Sequence, residues 1–590
     1  MSEKTDRDAA VATRYVTIAR CRYGPMIVRK PLCALLALVL TIFCNPAYAQ
    51  GVPPERGPLE RPRLPEFLRE APRPGFVLPP LPASPERRPS RPLAIVVKRF
   101  RIVGATVFDA AQLEALLAPF TGRSIGNDEL EEARLAITRH YVAAGYVNSG
   151  ALIPDQEIRD GVATIEVIEG RLAEIVVAGE HRFEPRFFRE RVAAGAGPPL
   201  NVRELQERMQ VILLDPQIER INAELGPGVR PGEAVLRLDV TEAKRNTFGV
   251  TVANNRSPVV GAKRVEAQFE WRNLLGRGEA WGLRQGLTSG LEDTTITLSV
   301  PLTAHDTRFN FKFERSDATV VEPPFDLIAI RNRSEALELG LVHPFVRTVS
   351  RELALGATLA RRRNASFLLG QPFSFTPGLD DGKSAVAALR VSGDWSERSA
   401  DQVLAARFTV SRGLDHFGAT ISNAGNPDSR FVTRLAQLQW ARRLPGELGQ
   451  LVARGDWQRS NDALLPSEKF ALGGAQTVRG YRENAVVRDN GWVGSVEYRR
   501  PIGRLRAPLA GDDPDAGQVE IALFADAGSG RDHRGAAQRL SSFGAGLRWT
   551  PVRGALAQVY KGFAQRKIAQ PTRDLQDSGV HFLFAMQVQF

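Results

Sequence analysis

The chain has 590 residues, of which 43% are hydrophobic, and its formal net charge is +12. This length predicts roughly two to four domains, and the hydrophobic content is that of a folded protein. Because the positive surplus is small and spread along the sequence, it does not indicate a nucleic-acid-binding protein.

Residues 1–49 have the pattern of a secretory signal peptide. A basic pair precedes the apolar run Leu32–Cys44, and residues 47–49 match a small-x-small cleavage site. The run is too short to span a membrane as a helix. The leader is long, so translation could start at Met1 or at Met26.

All three cysteines of the chain, Cys21, Cys33 and Cys44, fall within this leader. The mature protein would contain none, which excludes disulfides, thiol catalysis and cysteine-bound metal. The seven histidines lack metal-ligand spacing and no Walker sequence is present, so we expect no metal, no cofactor and no enzyme. No later stretch approaches ~20 uninterrupted apolar residues, so a membrane-spanning form of this chain must be a closed barrel.

Residues 50–92 are rich in proline, with thirteen in this range. Proline fixes φ and lacks an N–H group, so the composition predicts an extended, semi-rigid linker. A short helix at 66–70, which could serve as a plug, is compatible with the sequence. A ligand for aromatic grooves is the alternative interpretation of the linker.

The sequence pattern predicts two compact α+β modules in tandem, at residues 93–171 and 172–244, each with the order β-α-α-β-β. Asn127 and Asn201 are the expected N-caps of the second helix in each module. Each module would present a sheet edge that an extended peptide could join by strand addition. A role as mere spacers is the alternative.

The sequence at 122–126 matches the G-x-S-x-G pattern of hydrolase nucleophiles. That motif requires a strand before the serine and a helix after it. Here a predicted helix precedes it and the module is small, so we interpret the segment as a turn between helices.

After about residue 245, side chains alternate between apolar and polar with period two, as at Phe309–Glu314 and Val580–Phe590. Such alternation predicts strands whose apolar face contacts lipid and whose polar face lines a lumen. About sixteen strands are expected, centred near 248, 267, 284, 297, 311, 338, 356, 390, 407, 437, 454, 495, 522, 546, 560 and 585.

The gaps between these strands alternate short and long, as in an outer-membrane barrel, with 501–517 as an exception. An even strand number returns the C-terminus to the side that holds the N-terminal modules. The predicted fold class is therefore a membrane β-barrel of about sixteen antiparallel strands at 245–590, preceded by two α+β modules. A soluble stack of two sheets is the alternative.

The longest connection, at 460–490, contains the glycine-rich stretch Leu472–Tyr481, whose sole charged residue is Arg479. We expect this loop to fold into the lumen. Alternation places Glu497 and Asp526 on the lumenal faces of two adjacent strands, where Arg479 could pair with either carboxylate. An ordinary surface loop with hydrated charges is the alternative.

Two motifs make the chain resemble the outer-membrane transporters of two-partner secretion, the hemolysin-activator type of the POTRA-barrel superfamily. Val478-Arg479-Gly480-Tyr481 resembles the tip motif of loop 6 in that family. The stretch 524–528, with Phe524, Asp526 and Gly528, resembles its F-x-D-x-G strand motif, and Phe590 resembles a terminal barrel signal.

The resemblance implies that the chain exports a partner exoprotein from the periplasm to the surface of a Gram-negative cell. The POTRA modules, in the periplasm, would bind the N-terminal secretion domain of that exoprotein, and Arg479 would contact Asp526. Outer-membrane lipid and the barrel assembly machinery are further implied partners, and nucleic acid is not. Family members usually begin with a plug helix, from which this proline-rich linker departs.

A POTRA-barrel assembly factor is the alternative function, although such factors usually carry more than two modules. A passive porin would need neither the modules nor the loop motif. An outer-membrane enzyme would need a serine–histidine pair, and the sequence offers no convincing one.

Overall fold

The computed structural model describes residues 60–68, 75–77, 95–179, 182–376, 378–379, 381–422, 426–508, 516–568 and 572–590. The expected signal peptide at 1–49 lies outside these residues, as does most of the linker at 50–92. Among the described residues, no helix is both long enough and apolar enough to cross a membrane.

One short strand, β1 (Gly75–Val77), belongs to the linker, and a first α+β unit follows. The elements of that unit are β2 (Ile95–Val97), β3 (Arg99–Val103), α1 (Ala110–Leu117), β4 (Arg123–Ile125), α2 (Asn127–Ala143), β5 (Gly150–Leu152) and β6 (Val162–Ile168). Strands β3, β6 and β5 form one sheet, and β2 pairs with β4. Leu113, Ile137 and Tyr141 bury one side of each helix against this sheet.

The second α+β unit has the expected order β-α-α-β-β, whereas in the first unit strand β4 separates the two helices. It consists of β7 (Arg171–Ala178), α3 (Pro185–Ala193), α4 (Val202–Ile212), β8 (Ile218–Pro227) and β9 (Glu233–Glu242). Its sheet has the order β1-β8-β9-β7, so the linker strand lies at one end. Phe188, Leu205 and Leu236 are fully buried between the helices and the sheet.

Two local features differ from the sequence-based expectations, and a third agrees with them. The N-cap of α2 is Gly126 and not Asn127, and the Gly126 N–H donates to Glu129 Oε2 at 3.0 Å. The Asn201 side chain does cap α4, where it accepts from the Arg203 N–H at 2.9 Å. In the G-x-S-x-G segment, residues Arg123–Ile125 form strand β4 and not a simple turn. Ser124 lies within this strand, whereas a nucleophile elbow places its serine in the sharp turn between a strand and a helix.

The C-terminal region is a closed antiparallel barrel. Its strands are β10 (Asn246–Ala253), β11 (Arg264–Arg272), β12 (Ala280–Leu287), β13 (Leu291–Pro301), β14 (Arg308–Thr319), β15 (Arg331–Arg347), β16 (Arg351–Leu368), the two-residue β17 (Gln371–Pro372), β18 (Lys383–Arg398), β19 (Gln402–Leu414), β20 (Val432–Arg443), β21 (Gln450–Ser460), β24 (Asn490–Arg504), β25 (Gln518–Arg531), β26 (Gln538–Thr550), β27 (Ala555–Ala564) and β28 (Val580–Gln589); the connection after β21 contains β22 (Phe470–Leu472) and β23 (Val486–Arg488). Pairing of β10 with β28 closes the cylinder. Apart from β17, sixteen strands form the wall, as predicted.

Alternation along each strand separates the two faces of the wall. Leu523 and Phe543 point outward and are 51% and 54% exposed, whereas Phe524 and Asp526 are almost completely buried. An exposed apolar outer surface is what a bilayer solvates, and the closed pairing leaves no free sheet edge in it. The predicted gap at 501–517 is shortened, because β24 continues through a bulge near Pro501 to Arg504.

The second α+β unit packs against the short turns of the barrel. Arg191 of α3 is 5% exposed and donates through Nη2 to Asp306 Oδ1 at 3.0 Å. The Glu184 N–H donates to the Gly276 carbonyl at 2.8 Å, and Gln217 Nε2 donates to the Gly278 carbonyl at 2.9 Å. These contacts fix the unit beside the end of the barrel where the C-terminus lies.

Candidate functional site

The loop between β21 and β24 folds into the barrel and has its own small core. Strands β22 and β23 form a hairpin, with Phe470 in register with Arg488. Phe470, Leu472 and Val478 are buried against Val493 and Leu540 of the wall. Burial of these side chains holds the loop against the inner surface of the barrel.

At the tip of this loop, Arg479 is 2% exposed and contacts two strands of the wall. Its Nε donates to Asp526 Oδ2 and its Nη2 to Asp526 Oδ1, both at 2.8 Å. The Arg479 backbone N–H donates to the same carboxylate at 3.0 Å. The planar guanidinium thereby forms the bidentate pair that its geometry favours.

The remaining guanidinium nitrogen of Arg479 pairs with the second carboxylate, that of Glu497. Nη2 also donates to Ser495 Oγ at 3.1 Å. The sequence allowed Arg479 to pair with either acidic residue, and the structure places it between both. Asp526 is in register with Ser495 on the neighbouring strand, so one side chain reaches both strands.

Two aromatic rings cover the guanidinium. The Arg479 Cζ lies 3.5 Å from the centroid of the Phe524 ring and 5.0 Å from that of Tyr560. The Tyr560 hydroxyl donates to Glu497 Oε1 at 2.9 Å, and Arg499 Nε donates to the same oxygen at 2.5 Å. The buried charges are therefore paired and shielded from water. Such interactions are strongest where water is excluded.

Close backbone contact fixes the rest of the tip. Gly480 has φ +94°, and a Cβ built on Gly562 of β27 would lie 2.6 Å from the Gly480 nitrogen. The Gly480 N–H donates to His581 Nε2 at 3.4 Å, and the Tyr481 hydroxyl donates to the Ser541 carbonyl at 3.2 Å. A glycine on both sides of the contact is what allows the loop to lie so close to the wall.

The glycine of the F-x-D-x-G segment has a similar packing role. A Cβ on Gly528 would lie 3.0 Å from Leu472 Cδ2 of the loop. On the next strand, a Cβ on Gly544 would lie 2.6 Å from the Phe524 ring. Both glycines therefore leave room for groups that hold the tip.

Further ion pairs hold the loop away from its tip. Arg482 donates to Asp577 Oδ1 at 2.5 Å and to Glu322 Oε1 at 3.1 Å, in two other long connections. Glu468, at the start of the loop, accepts from Arg390 Nη2 at 2.9 Å. The loop is thus bound to strands and connections around the barrel.

A second segment of the chain lies inside the barrel. Residues 60–68 of the linker contain no helix, so the short helix expected at 66–70 is not seen in its described part. Arg61 forms a buried ion pair with Asp456, and Glu60 accepts from Lys312 at 2.5 Å. At the other end, the Leu68 N–H donates to the Ser399 carbonyl at 3.0 Å. We call residues 60–68 the lumenal segment.

The space that remains beside the loop and the lumenal segment is a cavity of about 1260 Å³. Charged side chains that point into the lumen line it, among them Arg264, Lys312, Glu314 and Arg390. Within the described ranges, no group of three or more His, Cys, Asp or Glu side chains could hold a metal ion. Such a lining contacts a polar, extended polypeptide more readily than an apolar ligand.

Residues 232–549, more than half of the chain, match the family model "Haemolysin secretion/activation protein ShlB/FhaC/HecB". The chain belongs to this family. Residues 95–170 additionally match the ShlB-type POTRA domain. The protein is therefore a two-partner secretion transporter of the outer membrane and not an enzyme, and its family implies a secreted partner exoprotein.

The similarity extends over most of the chain. It is 22% identical to the outer membrane transporter CdiB of Dickeya dadantii, over 68% of this chain and 72% of that protein. It is also 22% identical to the heme/hemopexin transporter protein HuxB of Haemophilus influenzae, over 74% of this chain and 77% of that protein. The solved structure of CdiB from Escherichia coli superimposes with a TM-score of 0.63 at 21% identity, over 86% of this chain and 94% of that one.

In this transporter, the structure brings together Arg479, Glu497, Phe524 and Asp526, all named from the sequence. Val478 and Tyr481 pack in the core of the loop, whereas Phe590 lies elsewhere, at the end of the wall, and its N–H donates to the Asn246 carbonyl at 3.0 Å. Sequence reasoning missed Tyr560 and Gly562, which are far from the loop in sequence. The sequence feature that could have identified them is a tyrosine and a glycine that alternation places together on the lumenal face of β27.

Proposed function

We propose that this transporter moves its exoprotein, unfolded, from the periplasm to the cell surface through the barrel lumen. The loop tipped by Arg479 would line the path, and the POTRA modules would bind the N-terminal secretion domain of the exoprotein. Insertion of the barrel itself would depend on the barrel assembly machinery.

The observation that carries this proposal is the paired, buried Arg479 cluster, which attaches a long loop to the inner wall. A purely structural barrel needs no such internal loop. Buried ion pairs of this kind contribute little net stability, because removing charges from water is costly. Their presence here supports a role in transport and not in stability alone.

The charged cavity supports the same path. Side chains of both signs around it would hydrogen-bond to a passing backbone without holding any one sequence tightly. Folding of the exoprotein outside the cell would make the movement directional.

The export assay that tests this proposal uses a strain carrying the secreted protein encoded by the neighbouring reading frame, with and without this chain. We expect the secreted protein in the medium only when the transporter is present, while the levels of other outer-membrane proteins stay constant. A general loss of outer-membrane proteins on deletion would instead indicate an assembly factor. Equal export without the chain would contradict the proposal.

A further inference from the structure

We propose that three arginines on the lipid-facing side of the wall, Arg412, Arg434 and Arg459, bind the phosphate groups of a glycolipid in the outer leaflet of the membrane. They lie on strands β19, β20 and β21, which are neighbours in the barrel. We call these three residues the arginine patch. The inference adds a ligand site on the outside of the barrel, and it does not depend on the path of export.

Alternation along the strands places the arginine patch on the outer face. Each of the three arginines directly follows a buried residue that points inward, and these residues are Ser411, Thr433 and Gln458. Successive side chains of a strand point to opposite faces of the sheet, so the arginines point outward. Arg412 and Arg434 are exposed, and Arg459 is partly exposed.

Strand β20 shows at which end of the wall the patch lies. Arg434 and Arg442 are on the same outer face of this strand, with Ala436, Leu438 and Trp440 between them. Eight residues of strand span about 26 Å, close to the apolar band of roughly 25 Å in such barrels. Arg442 lies at a short turn, at the end where the second POTRA module packs, so Arg434 lies near the opposite interface, that of the outer leaflet.

The register of the strands brings the three positive charges together. Arg434 is directly opposite Arg459, and on its other side it is opposite Val410, which lies two residues from Arg412. The Cβ atoms of directly opposite residues are about 5 Å apart, and those of diagonal neighbours about 7–8 Å apart. Like charges at these positions destabilise a sheet, so the patch needs an anion among its side chains.

The protein itself does not supply this anion. Among the residues that the structure describes, none of the three arginine side chains has an ion-pair or hydrogen-bond partner. Elsewhere on the outer face of the wall, by contrast, Arg333 of β15 pairs with Asp317 of β14 at 3.2 Å. An anion from the surrounding membrane would complete the arginine patch.

A phosphorylated lipid fits the chemistry of the patch and of the wall beside it. A guanidinium group binds phosphate oxygens through paired N–H groups, and basic clusters beside an apolar surface recognise anionic lipids. Two residues along their strands from the arginines, Val410 and the exposed Trp457 continue the apolar outer face, which acyl chains would contact.

The spacing of the arginines favours a lipid with more than one phosphate. Three neighbouring strands span about 10 Å, so one phosphate can bridge the opposed pair Arg434 and Arg459 while a second reaches Arg412. Lipid A, the glycolipid of the outer leaflet in Gram-negative bacteria, carries phosphates at both ends of its sugar headgroup. It is therefore the ligand that we expect at this site.

Retention of lipid A by the full transporter, purified in detergent, tests the inference. The variant combines Arg434→Gln with Arg459→Gln, and mass spectrometry of the intact complex measures the bound lipid. We expect the variant to retain about tenfold less lipid A than the unmodified chain, because the charged contacts to phosphate are lost. Lipid A from which the phosphates have been removed should be retained by neither.

The matched control changes two arginines at the periplasmic end of the same outer face. Arg442 and Arg500 are both exposed, and Arg442→Gln with Arg500→Gln should retain lipid A like the unmodified chain. Arg434→Lys with Arg459→Lys keeps both charges but loses the planar guanidinium groups, so its retention should be intermediate. Heat-modifiable mobility in gels verifies that each variant is folded.

Equal retention of lipid A by the Arg434→Gln/Arg459→Gln variant and the control would overturn the inference. Equal retention of lipid A with and without its phosphates by the unmodified chain would overturn it too, since phosphate would then not be recognised. Release of lipid A by an equal concentration of inorganic phosphate would indicate a site for free anions and not for a lipid, which also contradicts the inference.

Discussion

Arg479 connects two buried carboxylates that would otherwise repel one another, Glu497 and Asp526. Glu497 is 1% exposed and Asp526 is 3% exposed, so water does not solvate either one. Arg499 contributes a second cation to Glu497, whereas the ion pair of Asp526 is with Arg479. The position of the loop tip and the pairing of Asp526 therefore depend on Arg479.

Replacement of that side chain, Arg479→Ala, should leave the barrel inserted but reduce export strongly. Removing one partner of a buried pair costs about 3–5 kcal/mol, so the loop tip is expected to leave the wall. Measurements of the exoprotein in the medium and of heat-modifiable mobility in gels separate the two effects. Arg479→Lys keeps the charge but loses the planar guanidinium, so its export should fall between that of the unmodified chain and that of Arg479→Ala. Undiminished export by Arg479→Ala would refute the role of the loop.

Gly562 tests the close contact at the same tip. A Cβ there would approach backbone atoms of Arg479 and Gly480 that cannot move independently. Gly562→Ala is expected to cost about 1–3 kcal/mol of overpacking and to make the loop accessible to protease. Gly494→Ala on β24 is the matched control, because a Cβ there meets no atom of the described residues within 4 Å. Equal protease resistance in both variants would contradict this account.

The residues around Arg479 show what a sequence can and cannot predict. Period-two alternation placed Glu497 and Asp526 on the lumenal face, because alternation depends on the strand itself. It could not say that Arg479 reaches both carboxylates, which depends on the register of β24 against β25. Gly562 was missed because closure of the barrel brings β27 to the loop.

The helices of the second POTRA module connect the periplasmic modules to the barrel through a small number of polar contacts. The Asp306 carboxylate accepts from Arg191 on α3 and, at 2.6 Å, from Arg347 on β15. The Arg191 Cζ also lies 3.6 Å from the centroid of the Phe187 ring. This contact helps to fix the second module beside the barrel, together with the hydrogen bonds to Gly276 and Gly278.

Arg191→Ala should therefore loosen the second module from the barrel without unfolding either. We expect faster hydrogen exchange at the turns around Gly276 and Asp306, together with reduced export, because Asp306 keeps a single partner in place of two. Arg186→Ala on the same helix removes an exposed pair with Glu190 and should change neither quantity. Equal effects of the two substitutions would exclude a specific docking role for Arg191.

At the scale of elements, the wall was predictable and the linker was not. Each barrel strand carries its own alternation, so all sixteen could be located from the amino-acid sequence alone. In its described part, residues 66–68, the expected helix at 66–70 is not seen. The lumenal segment instead finds hydrogen-bond partners in the wall: Gln439 donates to the Pro62 carbonyl, and Leu68 donates to the Ser399 carbonyl. Such partners are not visible in the sequence of the linker.

In the whole molecule, two segments of one chain occupy the lumen through which we propose that the exoprotein passes. The loop is attached by the Arg479 cluster, and the lumenal segment by Arg61 and Glu60. Buried apolar side chains also hold the loop, and hydrogen bonds to main-chain groups also hold the lumenal segment.

Site-specific photo-cross-linking from the wall tests passage through the lumen most directly. Gln437 and Leu438 are adjacent on β20; the first is 3% exposed and lines the cavity, and the second is 45% exposed on the outer face. With a photoreactive amino acid at each position in turn, and an exoprotein stalled during export by a folded C-terminal domain, a cross-link is predicted from 437 and none from 438. A cross-link from 438 alone, or from neither position while export proceeds, would contradict transport through the barrel.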